Sequence, residues 1–428
     1  MYMPSKQYKL PREEYVAGNG LLHRRTFLTS SIAFFSVASS SLVPNKLIGQ
    51  ENYPVSMLLP GAPLSGYGLR SKFESHVQRY VGTTAGTTGA GSSRTPLEKL
   101  SGIITPNGLH FERHHSGIPD IDPEQHQLLI HGLVDRPLVF DINTLLKYPM
   151  VSRTQYIECS GNSRPNLAST APDLNCGQIH GMISCCEWTG IPISVLLQEA
   201  GIKSNAKWVL AEGADAAAMT RSIPLSKAMD DTMIALFQNG EALRPENGYP
   251  IRVILPGYEG NISVKWLRRL MLSDTPIMTK DETSKYTDLQ KDGRSEIFTL
   301  EMGVKSVITS PSGGQFMQHR GIYEIKGLAW SGTSKIKRVD VSADGGLTWA
   351  EAMLSNPILS KSLTQFRLPW DWNGQHAIIM SRAIDEDGNA QPTRDAFIDE
   401  KGLQVNYHNN IIQSWEVSSQ GEITNTYV

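Results

Sequence analysis

The stretch YIECSGNSR, Tyr156 to Arg164, runs from an apolar strand end into a turn that carries a cysteine, a glycine, an amide and a guanidinium. Tyr156 and Ile157 are strand formers, and Cys159 stands where that strand emerges. Gly161 has no Cβ and lets the backbone approach something bound, while Asn162 and Arg164 set hydrogen-bond donors beside the thiol. A cation at Arg164 favours the thiolate, the form that ligates a soft metal. The same residues also fit a small buried cysteine that simply closes a strand.

Outward from this segment, short strands and helices alternate from Pro96 to about Thr299. QLLIHGLV from Gln127 is a strand ending in a turn, and in DINTLLKYP Asp141 is an N-cap with Pro149 as terminator. SKAMDDTMIALFQNG from Ser226 is expected to be one amphipathic helix closed by Asn239-Gly240. YPIRVILP from Tyr249 is a buried strand, and such alternation implies a mixed α/β domain. After Lys305 the helical period disappears. IKRVDVSADGGLTWAEA reads as two strands around Asp344-Gly345-Gly346, followed by the strands TQFRLPW and HAIIMSRAID and a turn at Asp387-Gly388. This pattern predicts an immunoglobulin-like β-sandwich. Ahead of Thr95 the chain is loop-rich, and GTTAGTTGAGSS from Gly82 reads as a solvated loop.

Length and composition set the limits. A chain of 428 residues suits two domains, and a net charge of −2 gives no bulk attraction to nucleic acid or an anionic membrane. No apolar run reaches the ~20 residues of a membrane span. Four cysteines make no disulfide scaffold, and without C-x-x-C-H the chain attaches no haem of its own. HRRTFLTSSIAFFSVASSSL, from His23, places Arg24-Arg25 before Phe27-Leu28, a short apolar run and small serines. That order matches a twin-arginine signal, so export of the folded protein to the periplasm is expected. The expected layout is a signal over 1–40, a loop-rich extension over 41–95, a catalytic domain over 96–300 and a sandwich over 301–428.

The Cys-x-Gly-Asn-x-Arg run resembles the molybdenum segment of the sulfite oxidase family, and further segments follow in that family's order. FERHHSGIP resembles the segment that supplies a substrate arginine, here Arg113, and cofactor contacts, here His114 and His115. EGADAAA puts Asp215 at a cofactor position, NGYPIRVILPG supplies Arg252, and NISVKWLRRL supplies Ser263, Val264 and Lys265. KYTD places Tyr286 where the family has an active-site tyrosine, and VSADGGLTW resembles its C-terminal dimerisation sandwich. The resemblance implies an α+β chain, a molybdopterin domain followed by an immunoglobulin-like sandwich. It implies molybdenum and molybdopterin as cofactor, with Cys159 as the metal ligand and Asn162 near the cofactor. Arg113, Arg164 and Tyr286 would complete the catalytic set, in a homodimer. Within the family the sulfane dehydrogenase branch is the nearest likeness.

These residue types suit that chemistry. Molybdopterin ends in a phosphate, which calls for cations and backbone donors such as Arg252, His115 and Lys265. Unaided, Arg252 and Lys265 also read as surface ion pairs, Tyr286 as a packed loop aromatic and Trp188 as a core anchor. His110, His114 and His115 alternatively suggest zinc, although no second ligand cluster accompanies them. A disulfide from Cys176 to Cys185 or Cys186 is left open.

Departures from the family pattern bear on substrate. His114 replaces a usual asparagine, Asn247 a cofactor histidine and Gln178 a pocket tryptophan. Nothing near Asn409-Asn410 matches the arginine that the dimer domain often contributes. One arginine fewer weakens the hold on a small dianion. That puts free sulfite in doubt as the main substrate, and the sulfane dehydrogenase resemblance implies oxidation of sulfane sulfur on a carrier protein, with electrons leaving to a c-type cytochrome. The alternatives are a sulfite dehydrogenase acting on free sulfite and, in another class, a non-catalytic exported binding protein.

Overall fold

The computed structural model describes residues 15–22 and 54–428. The arginine pair Arg24-Arg25 and the apolar run at 32–38 lie outside the described residues.

Strands dominate. Among the described residues the longest helices, Ile193–Ala200 and Arg394–Lys401, have eight residues each. The expected strand–helix alternation over 96–300 is instead a set of largely antiparallel sheets joined by short helices. In one five-stranded sheet, Trp208–Gly213 pairs with Thr220–Pro224 on one side and Leu267–Ser273 on the other. Leu267–Ser273 runs parallel to Gln127–Gly132, which pairs in turn with Leu138–Asp141. Asp141 caps the next helix, its carboxylate accepting from Thr144 N–H, as the sequence indicates. A second sheet carries Val151–Glu158, Ile183–Pro192 and Met233–Gln238 side by side, with Arg252–Ile254 along the far side of Met233–Gln238.

The segment from Ser226 differs from its expected helix. The helix spans only Leu225–Asp230, and Met233–Gln238 is a strand with neighbours on both sides. Five of its six residues are buried, so its apolar run serves two faces of a sheet and has no clean period of two. Asn239 and Gly240, both at positive φ, form the turn of a hairpin to Glu241–Ala242 instead of a helix cap. The glycine-rich stretch also differs from a solvated loop. Tyr80–Thr83 and Gly91–Arg94 pair across it, and Gly91–Arg94 then pairs with Arg113–His114. A Cβ on Gly91 would lie 2.6 Å from the Gly82 carbonyl oxygen, so glycine is what lets these strands close.

Beyond Lys305 two sheets pack on one core. Gly321–Trp330 pairs with Lys305–Ser310 and Thr364–Trp372 in one, and Ile336–Ser342, Ala377–Asp385, Ser414–Val417 and Ile423–Thr426 build the other. The hairpin around Asp344-Gly345-Gly346 forms as its turn residues require. The helix Arg394–Lys401, capped by Thr393, interrupts this all-β region, where none is expected from the sequence. Trp330, Trp370 and Trp415 are fully buried in the shared core, each side chain of this size contributing roughly 1.5–3 kcal/mol or more by leaving water. That core also takes in Leu97, Tyr156, Cys176, Ile179 and Cys185 from before residue 300, so the two regions are packed as one body.

Candidate active site

Val151–Glu158 delivers Cys159 to the junction of two cavities. The inner channel holds about 700 Å³ of empty space, and Cys159 shares its wall with Arg113, His115, Asp215, Arg252 and Lys265. The outer cleft holds about 1830 Å³ and opens to solvent. Cys159, Arg113, His115 and Tyr286 line both.

The turn after Cys159 is tightly held. Cys159 N–H donates to Met182 O (2.9 Å) and Asn162 N–H returns to Cys159 O (2.8 Å). The Asn162 side chain does not face either cavity: its amide donates to Glu158 Oε1 (2.9 Å) and accepts from Met182 N–H. Glu158 also accepts from the indole of Trp330 (2.7 Å) and meets the buried ammonium of Lys305, which donates to Asn409 O (2.7 Å). Trp330, Lys305 and Asn409 belong to the sandwich, so the sandwich braces the cysteine turn from behind. Burial pushes the Cys159 thiol up, and the Gly161 N–H and the Arg113 guanidinium pull it down. Arg113 is thus the cation that favours the thiolate, where the sequence pointed to Arg164.

In the inner channel Arg252 is buried and finds only neutral partners: Asn247 O and Ser263 O at 2.9 Å each and Val253 O at 3.5 Å, with the Trp188 ring 5.3 Å away. Burial without a carboxylate lowers its pKa to about 9. Trp188 is therefore the core anchor expected and also the surface on which Arg252 lies. Lys265, its ammonium held well below the usual lysine range by burial and by Arg252, donates to His114 Nδ1 (2.8 Å), Glu246 O (3.0 Å) and Arg113 O (3.3 Å). Neither cation has a carboxylate within ion-pair distance among the described residues, so neither is a surface ion pair. Ser263 and Val264 are buried on the same wall, and Asp215 accepts from Met219 N–H (3.1 Å). Asn247 lines the channel, whereas Gln178 is spent on capping a helix at Asn175.

Where the cavities meet, the Tyr286 hydroxyl donates to His115 Nε2 (3.0 Å). Burial lowers His115 to about 4, with Arg113 adding to the effect, so the imidazole is neutral at pH 7 and accepts. Burial raises Tyr286 above the usual phenol range, so it keeps its proton. Tyr286 sits at φ +53° between the Arg221 guanidinium (4.9 Å) and the Tyr407 ring (5.5 Å).

The outer cleft has a single sign of charge. Arg94, Arg113, Arg164 and Lys285 line it, with no aspartate or glutamate among its wall residues. Arg164 is exposed at the mouth, while the Nε of Arg94 is buried without a hydrogen-bond partner. Arg94, Lys285 and Tyr407 escape the sequence reading. Lys285 adjoins Tyr286, so that motif held a usable signal; Arg94 and Tyr407 carry none locally. The zinc alternative finds no support: His110 turns inward to Phe111 O, and no group of three metal-binding side chains forms among the described residues. All four cysteines are free, so the disulfide left open does not form.

Comparison with known proteins accords with this geometry. Residues 115–280 match the oxidoreductase molybdopterin binding domain, and residues 296–414 match the Mo-co oxidoreductase dimerisation domain. The structure is similar to the sulfane dehydrogenase SoxCD of Paracoccus pantotrophus, with 45% identity and a TM-score of 0.85 over 88% of this chain and 98% of that one. Mitochondrial sulfite oxidase of Mus musculus is 31% identical over 331 residues, 70% of this chain and 60% of its own length. NADH nitrate reductase of Ulva prolifera is 31% identical over 338 residues, 68% of this chain and 38% of its own length. The chain thus spans less than two thirds of the latter two.

Proposed function

Because the chain belongs to the sulfite oxidase family of molybdopterin oxidoreductases, we propose that it oxidises a reduced sulfur centre, sulfane sulfur borne on a carrier protein, and passes the electrons to a separate c-type cytochrome. One observation carries the reading: Cys159 lies between an inner channel with unpaired buried cations and a wide outer cleft walled by four cations and no acid.

The residues fit the family's cofactor. Arg252, buried among carbonyls and lacking an anionic partner, is suited to the pterin's phosphate, with Lys265 beside it. Cys159 is the soft donor for molybdenum, and Asp215, Ser263, Val264 and the histidines His114 and His115 wall the channel that would take the pterin. Molybdenum-molybdopterin supplies the two-electron oxygen-transfer chemistry when bound. The protein gathers and orients the substrate. Arg113, Arg164, Arg94 and Lys285 raise the local concentration of an anionic sulfur group. Neutral His115 accepts the Tyr286 hydrogen bond and fixes the hydroxyl where the two cavities meet. Tyr407 packs on Tyr286 and holds it there. Each two-electron oxidation adds one oxygen from water and releases two protons and two electrons. With no haem-attachment motif in the sequence, the electrons need an external one-electron carrier.

The likeness to sulfane dehydrogenase and the breadth of the cleft favour a protein-borne substrate. The acid-free ring of cations favours a second reading, oxidation of free sulfite. The homodimer is proposed to form through the sandwich, read as immunoglobulin-like, and the enzyme to be exported folded to the periplasm by the twin-arginine route. The deciding experiment compares sulfite with a persulfide-bearing carrier protein on the metal-loaded enzyme, with cytochrome c as acceptor. A kcat/KM at least tenfold higher for the carrier supports the first reading, and the reverse supports the second. Cytochrome reduction with neither substrate rejects both.

A further inference from the structure

Residues Tyr15–Leu22 stand directly ahead of Arg24-Arg25, inside the stretch read as an export leader, yet they are built into the sandwich. Tyr15–Ala17 and Leu21–Leu22 pair as a small antiparallel arc around Gly18–Gly20, and Leu21 pairs with Trp370 on the edge of Thr364–Trp372. Leu21 is 0% and Leu22 3% exposed, and Leu21 joins the core that holds Trp370 and Val341.

The contacts are specific. Asn19 Nδ2 donates to Ala343 O (2.8 Å), and the Asn19 carbonyl accepts from Trp370 Nε1 (2.7 Å). Gly18 N–H donates to Thr348 Oγ1 (2.6 Å), and the Tyr15 hydroxyl to Asp371 Oδ2 (2.8 Å). A Cβ on Gly20 would lie 2.1 Å from the Asp371 carbonyl oxygen, and one on Gly18 2.2 Å from the Asp344 carboxylate. Asn19 and Gly20 also take positive φ, at 56° and 90°. A required glycine at Gly20, the amide of Asn19 beside it and two buried leucines amount to recognition of Asn-Gly-Leu-Leu, beyond what a bare sheet edge would select.

The receiving surface is composite. Ala343 and Thr348 lie in the turn after Ile336–Ser342 of one sheet, and Trp370 and Asp371 lie in Thr364–Trp372 of the other. It exists only once both sheets have packed. We infer that Tyr15–Leu22 is a folding-dependent latch: the sandwich carries a strand-addition site for the chain's own leader-proximal segment. The segment is held by a folded C-terminal domain and by no unfolded one, so the state of the far end of the chain is reported beside the arginine pair.

The test uses the full 428-residue chain and hydrogen exchange. In the wild type the amides of Gly18 and Leu21 exchange at least tenfold more slowly than in a free peptide of the same sequence; Gly20→Val removes that protection and leaves the amides of Gly321–Trp330 protected. Should Gly20→Val fail to fold, Asn19→Ala is read instead, with a partial loss. A labelled peptide of residues 15–22 is then added to both chains. Binding to the Gly20→Val chain and not to the wild type, whose site is filled, supports the latch. Free-peptide exchange rates at Gly18 and Leu21 in the wild type, equal binding to both chains, or binding to neither overturns it.

Discussion

Replacing Arg252 with methionine separates a cofactor anchor from a structural arginine. In the folded chain this guanidinium has two hydrogen bonds to carbonyls at 2.9 Å and an aromatic face at 5.3 Å, against the cost of burying a charge that no carboxylate balances. Methionine keeps the unbranched apolar stem without the guanidinium, abolishes that cost and strands the Asn247 and Ser263 carbonyls. These terms oppose one another, as in other buried charges replaced by apolar groups, so the stability of the cofactor-free protein should change by no more than about 1–2 kcal/mol. Toward an anion the balance is different. A hydrogen-bonded contact to a charged group contributes about 1.5–3 kcal/mol, which converts to roughly 10- to 150-fold in affinity. The assay pairs two readouts on Arg252→Met: thermal unfolding without cofactor, and molybdenum and pterin content after loading at limiting cofactor. The expected result is a Tm within a few degrees of wild type and cofactor content below one tenth. Full cofactor content would refute the anchor. A collapse of the cofactor-free Tm would show that Arg252 is there to hold Asn247 and Ser263 together.

Three further outcomes follow from the site. Cys159→Ser keeps size and loses the soft donor, so molybdenum content and turnover should fall at least tenfold while the fold is retained; near-normal activity with the metal bound would exclude Cys159 as the ligand. Arg164 is exposed and shares the cleft with three other cations, so Arg164→Gln should raise KM about three- to tenfold with little change in kcat, and added salt should shrink the difference; an unchanged KM at low ionic strength would place Arg164 outside substrate capture. His110 and His180 are buried and held neutral down to about 3, below their unfolded value, so the unfolded chain binds protons there first. Their contribution is complete above pH ~6.5 and is lost as pH falls from there toward 3, at up to about 1.4 kcal/mol per pH unit for each. Denaturant unfolding between pH 6 and 4 should show a shallower slope in His180→Gln than in the wild type, and equal slopes would reject the assignment.

Features that rest on neighbouring residues are legible in the chain's order of residues. The cysteine turn after Tyr156-Ile157, the Asp141 cap and the hairpin at Asp344-Gly345-Gly346 depend on backbone conformation and bonds within a few residues, and each forms where its residues indicate. The ordered segments around Arg113, Asp215, Arg252, Lys265 and Tyr286 were readable too, and all of those residues line the inner channel. Tertiary structure alone decided the rest. Met233–Gln238 is a strand because strands flank it on both sides, and a doubly buried strand shows no period that separates it from a helix face. Arg94 enters the cleft because a glycine-rich hairpin pairs with Arg113–His114, and Tyr407 enters it from the loop between Arg394–Lys401 and Ser414–Val417. Asn162 turns away from the cavity because Glu158 and Met182 claim its amide. The arc at Tyr15–Leu22 closes on Ala343, Thr348 and Trp370, more than three hundred residues away. Such placements depend on which surfaces meet when the chain collapses, and no local pattern encodes that.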